Sequence, residues 1–204
     1  MDTRNKLEEA RYFLDALVRK EKIPKEFIYN LSAFLSAWVS VLDVMLYDFA
    51  EHYRIGLTRE DRMKSHDFQI VAKAQKNSNA LQFFNWWRQT SNMLKSTNKL
   101  WNMRNITVHR GYEIAYRIYV PPSMSGTTDY VLSTGKVAGF DKIVAQGVPI
   151  EIIATDYGIP IGIVPARRDT LDIELSDLPD LCKKGFAQME EIVEEAEKTF
   201  DVRL

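Results

Sequence analysis

The chain has 204 residues, a single cysteine, and 27 Lys/Arg against 28 Asp/Glu, for a formal net charge of −1. This length suits one domain, or one domain carrying a sizeable insertion, and it buries about 70% of its unfolded surface, so no disulfides are needed to hold a core. Cys182 stands alone, which excludes an intramolecular disulfide framework and suits a reducing compartment. The near-neutral balance selects no partner by itself, but its distribution is uneven. Residues 1–111 hold 18 Lys/Arg against 12 Asp/Glu, and residues 112–204 hold 9 against 16.

The opening "MDTRNKLEEARYFLDALVRK" is charged throughout and has no signal-peptide pattern, so a cytoplasmic protein is expected. Within it Leu7, Ala10, Phe13, Leu14, Leu17 and Val18 form an apolar stripe at helical spacing. Pro24 fits the first turn of a second helix running to about residue 54. The segment "FIYNLSAFLSAWVSVLDVMLYDF" is long enough to span a bilayer. Asn30, Asp43, Asp48 and three serines interrupt it, so a buried helix is the better reading and no membrane association is expected. Ser32, Ala33, Ser36, Ala37 and Ser40 make a small-residue face on this helix, a candidate dimer surface.

A third helix is expected over about 60–76. A fourth should start at Asn77 or Ser78, both good caps, and continue through "ALQFFNWWRQTSNMLKSTNKLW". Its apolar side holds Leu81, Phe84, Trp87, Leu94 and Trp101, while Arg88, Asn92, Lys95 and Lys99 form a polar, basic stripe. "FFNWW" reads as core rather than as a base-stacking platform, because two of its rings fall on the inward stripe. After Gly111, "YEIAYRIYV" alternates as a strand does. Short strands to about residue 175 follow, the clearest a hairpin of "IEIIAT" and "IPIGIV" around "DYG". A last helix begins at Ser176 or Asp177 with Pro179, has Leu178, Cys182, Met189, Ile192 and Ala196 on its inner face, and turns five glutamates to water. The expected class is α+β: a bundle of four to five helices (1–111 plus 176–204) with a small antiparallel β-layer (112–175) inserted before the last helix, forming one structural domain.

Several short patterns carry no chemistry. "STGK" (133–136) lacks the first glycine of a phosphate loop, and Val137 stands where a magnesium-binding hydroxyl belongs. Asp48/His52 and His66-Asp67 are pairs, whereas a metal site needs three or more converging ligands, so no metal is expected.

"RNITVHRG" (104–111) carries more. It lies in the stretch between Asp67 and Glu113, which has no acidic residue but holds Lys73, Lys76, Arg88, Lys95, Lys99, Arg104 and Arg110. That local field favours an anion. Arg104 and His109 are five apart, which on a continuous helix puts them about 140° apart. Acting together requires a helix break between them, expected between Trp101 and Val108, or a second copy of the chain. From spacing alone, a helix end with Asn105 as cap and His109 near the surface is the plainer reading.

The Arg104-Asn105-x3-His109 motif, placed just after the long helix of a bundle, resembles the HEPN (higher eukaryotes and prokaryotes nucleotide-binding) family. "LSAFLSAWVSVLDVM" in the second helix is similar to those bundles too. The resemblance spans roughly residues 3–111 and the closing helix. It implies a homodimer that binds RNA or a nucleotide, with Arg104 and His109 catalytic in metal-independent RNA cleavage and no cofactor. Asn105, Arg110, Lys95, Lys99, Arg88 and Tyr112 are the expected substrate-binding residues. An antitoxin or nucleotidyltransferase partner belongs to a subgroup that places tyrosine two residues after the histidine. Here that position is Gly111, and Tyr112 follows it. The alternative is a non-catalytic HEPN-like binding or scaffold module with the β-layer as interaction surface.

The chemistry suits the residue types. Cleavage by the ribose 2′-hydroxyl needs a base, an acid for the leaving 5′-oxygen, and positive charge at the phosphorane. Histidine serves as either acid or base near neutrality. Arginine binds phosphate oxygens bidentately and keeps its charge. One motif offers one histidine for two proton transfers, and a two-fold dimer supplies the second.

Overall fold

The structure, a computed structural model, describes the backbone of residues 2–18, 24–56, 64–109, 112–119, 128–132, 158–165, 173–174 and 177–204. Side chains are described for 2–18, 26–56, 64–105 and 177–204. The helices are α1 (Thr3–Val18), α2 (Pro24–His52), α3 (Ser65–Ala74), α4 (Ser78–Thr97), α5 (Lys99–His109) and α6 (Leu178–Phe200).

Helix α2 is the central element. Phe34, Leu35, Trp38, Leu42, Met45 and Phe49 recur along it at helical spacing and are almost wholly buried. It is apolar and long enough, by length and composition, to cross a membrane, but half of its most apolar window is buried inside the bundle. Its helical neighbours are α1, α4, α5 and α6, and the strand at 112–119 also approaches it. Phe49 stacks on Phe83 of α4 with ring centroids 3.6 Å apart. Two indoles fix the rotation of α2 about its axis. Trp38 Nε1 donates to the Gly185 carbonyl of α6 at 2.8 Å, and Trp87 Nε1 of α4 donates to the Leu42 carbonyl at 2.9 Å. Of the small-residue face, Ala37 is buried in the core, Ser36 is exposed, and the others are half-buried.

The α1 stripe docks on α2, and its first turn is held from α2: Asp48 Oδ2 accepts from the Thr3 amide (2.7 Å) and hydroxyl (2.6 Å). Asp48 therefore serves as a cap acceptor for α1, and the His52 ring lies edge-on to Phe49 and Tyr53. Helix α6 returns along α1. Leu178, Cys182, Phe186, Met189, Ile192, Val193 and Ala196 are buried, each large one contributing roughly 1.5–3 kcal/mol. Arg4–Glu197 and Arg11–Glu190 pair across the same seam. Asp177 stands at the N-cap position of α6, with Pro179 in the first turn, and Asn77 caps α4 by accepting from the Ala80 amide at 3.0 Å. The expected start of α3 near residue 60 lies outside the described residues.

The expected α+β class with a β-layer is corrected. Of the residues whose side chains are described, 87% are helical and none lies in a strand or sheet, so this is a helical protein. The physical reason is that a layer defines a class by burying a face against its neighbour. The described core comes entirely from the six helices and Ile55, in the turn after α2. Between α5 and α6 four short extended segments are described by backbone alone: β1 (Tyr112–Tyr119), β2 (Thr128–Leu132), β3 (Gly158–Pro165) and β4 (Ile173–Glu174). They pair antiparallel in the order β2-β1-β3-β4, with Ile114 opposite Ile163 and Arg117 opposite Tyr130. The first strand of the expected "IEIIAT"/"IPIGIV" hairpin lies outside the described residues.

Candidate anion site at the junction of α2, α4 and α5

The fourth helix does not run on through Trp101. It ends at Thr97, and Asn98, in extended conformation, starts α5. Asn98 is satisfied on every side. Its amide donates to the Leu94 carbonyl (2.9 Å), its Oδ1 accepts from the Leu100 amide (2.9 Å), and its Nδ2 donates to Gln188 Oε1 of α6 (2.8 Å). Beside it Gly185 lets α6 approach α5: a Cβ there would sit 2.1 Å from Leu100 Cδ1. Leu100 and Met103 are buried, and this sets which face α5 turns outward.

The expected break between Trp101 and Val108 is also corrected: α5 is continuous from Lys99 to His109. No proline or glycine falls inside it, and the break is taken up by Asn98 instead. Arg104 and His109 therefore leave one unbroken helix about 140° apart.

Arg104 is half-buried. Its Nε is enclosed without a hydrogen-bond partner, and its Nη1 reaches the neighbouring Asn105 Oδ1 only at a long 3.4 Å. Asn105 is exposed. Across from α5, on α2, Asp43 is the acidic group that senses this arginine. Desolvation pushes the Asp43 carboxyl above its ordinary value, while the charges of Arg104 and Lys95 pull it back. Asp43 is nonetheless exposed to solvent. Lys95 holds its ammonium 5.3 Å from the centroid of the half-buried Trp101 ring, a cation–π contact joining α4 to α5.

Among the expected site residues, then, Arg104 and Lys95 lie near enough for their charges to act on Asp43. Arg88 and Lys99 lie exposed on α4 and at the start of α5, and Asn105 adjoins Arg104. The side chain of His109 and the whole of Arg110 lie outside the described residues. Tyr112 is described by its backbone, paired in β1 opposite Pro165. Sequence reading missed Asp43 as a site residue, taking it only as an interruption of an apolar run. An acid in the middle of the most apolar helix was the available signal. Among the described residues no group of three or more His, Cys, Asp or Glu is placed to hold a metal. A separate groove of about 550 Å³, lined by Arg4, Glu8, Glu197, Val202, Arg203 and Leu204, includes no expected site residue.

The charges of Arg104 and Lys95 act on one carboxylate, that of Asp43, and the enclosed Arg104 Nε–H has no acceptor. An enclosed donor without a partner costs about 1–3 kcal/mol.

No family model matches the chain, nor does any curated protein or solved structure. The HEPN resemblance rests on Arg104-Asn105-x3-His109 and the helical body alone.

Proposed function

We propose that this is a HEPN-like cytoplasmic protein that binds RNA or a nucleotide through Arg104, and that two copies related by a two-fold axis form a metal-independent endoribonuclease. The observation that carries the binding half is the enclosed, unpartnered Arg104 Nε within an acid-free basic segment. The unbroken α5 motivates the dimer: with the helix continuous, one protomer's Arg104 and His109 diverge, and a second copy supplies a way to bring a His109 to the arginine. In that composite site one His109 takes the proton of the 2′-hydroxyl. The oxygen attacks phosphorus, Arg104 holds the equatorial oxygens, and the partner's His109 protonates the departing 5′-oxygen. The products are a 2′,3′-cyclic phosphate and a free 5′-hydroxyl.

The test uses single-stranded RNA in EDTA, with wild type and His109→Ala from identical purifications. Loss of cleavage by at least about 100-fold in the variant is expected, the lower end of what general acid–base catalysis supplies. Equal cleavage by both means contamination and refutes the activity. RNA binding lost on Arg104→Ala, without cleavage by wild type, supports the second reading, a non-catalytic binding module. The divergence of Arg104 and His109 within one protomer favours that reading wherever the protein stays monomeric in light scattering.

A further inference from the structure

The solvent face of α4 is unusual in what it omits. From Phe68 to Tyr112 the sequence contains no acidic residue. On α4 the exposed positions include Asn79, Gln82, Asn85, Gln89 and Asn92, with Arg88 and Lys95 also exposed and Lys95 reaching α5. Arg88 and Lys95 are seven positions apart, placing them roughly 10 Å apart along the axis and within about 20° of one another. Lys95 touches the Trp101 ring, which lies three positions before Arg104 on α5 and so neighbours it on that helix. By helical spacing Arg88, Lys95 and Arg104 form a row across the α4–α5 elbow. Among the described residues, the acidic groups with an interaction recorded on this part of the bundle are Asp43 at one end and Glu195, which accepts from Trp86 Nε1 of α4.

We infer that this edge is a track for the backbone of single-stranded RNA, leading from Arg88 over Lys95 to the phosphate held at Arg104. Charge complementarity selects a polyanion. An acidic protein would need apolar anchors to bury. Of the exposed large hydrophobic side chains among the described residues, only Met93 lies on α4 or α5, the others being Tyr12, Tyr29 and Ile70. The amides beside the track offer donors and acceptors together, which suits ribose hydroxyls and the edges of unpaired bases. A single row of cations matches one strand.

The inference rests on the RNA-binding reading, and the experiment separates the two. Anisotropy of a labelled single-stranded RNA is measured between 50 and 200 mM KCl. Single-strand binding loses about 0.7 in the log–log salt slope per phosphate contact, so three contacts give a slope near −2 and roughly a 20-fold loss of affinity over that range. Arg88→Gln/Lys95→Gln should flatten the slope to about −0.7, roughly a threefold loss. Lys184→Gln/Lys198→Gln, on the exposed face of α6, removes the same charge and should leave the slope near −2. Wild-type binding with an unchanged slope in Arg88→Gln/Lys95→Gln overturns the track and leaves the RNA-binding reading standing. Equal flattening in both double variants also overturns it, by showing a diffuse field. No RNA binding by wild type, whether or not poly-glutamate binds, overturns both.

Discussion

Replacing Gly185 by alanine tests how tightly α6 holds α5, and through it Arg104. Gly185 lies inside α6, where alanine would ordinarily gain about 0.5–1 kcal/mol of helix propensity. Here the new methyl meets Leu100 Cδ1 at 2.1 Å and Cγ at 3.3 Å, and Leu100 is fully buried. The leucine must change rotamer or α5 must move, at a cost of about 1–3 kcal/mol. The Gly185 carbonyl is also tied to Trp38, so α6 cannot easily yield on its side. The net expectation is a loss of about 1 kcal/mol, seen in urea denaturation as a lower midpoint at unchanged slope, or as a melting temperature about 2–4 °C lower. Leu100→Ala should cost about 2–5 kcal/mol alone and clearly less in the Gly185→Ala background, with a coupling of at least about 0.5 kcal/mol. A Gly185→Ala protein more stable than wild type by the full propensity gain would refute the close approach, and additive effects of the two substitutions would refute the contact.

Other outcomes follow from single groups. Asn98→Ala removes the acceptor for the Leu100 amide and the link to Gln188, and should cost about 1 kcal/mol in the same denaturation assay. Partial burial raises the Glu197 carboxyl, but Arg4, the Leu204 amide and Arg203 outweigh it and hold it below its ordinary 4.5. Stability from this group is thus complete above pH 4.5 and lost as pH falls through the lower folded value, and Arg4→Ala should flatten that acid limb in thermal melts. Asp43 shifts the other way, so its ionised form is disfavoured in the native state above the ordinary carboxylate value of 3.8. Asp43→Asn should bind RNA more tightly at pH 7 without a lower melting temperature, and weaker binding would show that Asp43 orients Arg104 instead of opposing the ligand.

Much of the helical body could be read in the sequence because periodicity reports burial directly. The stripes of α1 and α6 and the cap at Asn77 stand where spacing and capping chemistry placed them. The junction of α4 and α5 could not be read the same way. "STNKLW" contains no glycine or proline; Asn98 caps α5 locally through the Leu100 amide, but Ser96 and Thr97 offer the same capping chemistry beside it, and the bond that fixes the Asn98 amide comes from Gln188, 90 residues away. The supposed break inside "RNITVHRG" came from requiring two residues of one helix to cooperate, a demand that functional logic made and local physics did not. The class was misjudged because alternating patterns in 112–175 show pairing tendency without showing what the pairs pack against. Asp43 was passed over for a related reason. A carboxylate on an apolar helix acquires meaning from the arginine opposite, and that arginine is 61 positions further along the chain.

The two indole latches on α2 imply an uneven pattern of constraint over evolutionary time. Trp38 and Trp87 each grip a main-chain carbonyl, an atom present whatever residue occupies the gripped position. Drift is therefore free at Leu42 so far as its latch is concerned, while neither tryptophan can be exchanged for phenylalanine without losing the donor. Position 185 is restricted for a different reason, the space taken by Leu100. In a set of diverged sequences the tryptophans would persist as pivots around which the side chains beneath them turn over. The orientation of the central helix, and with it the placement of Asp43 opposite Arg104, would be inherited through two side chains rather than through the bulk of the core.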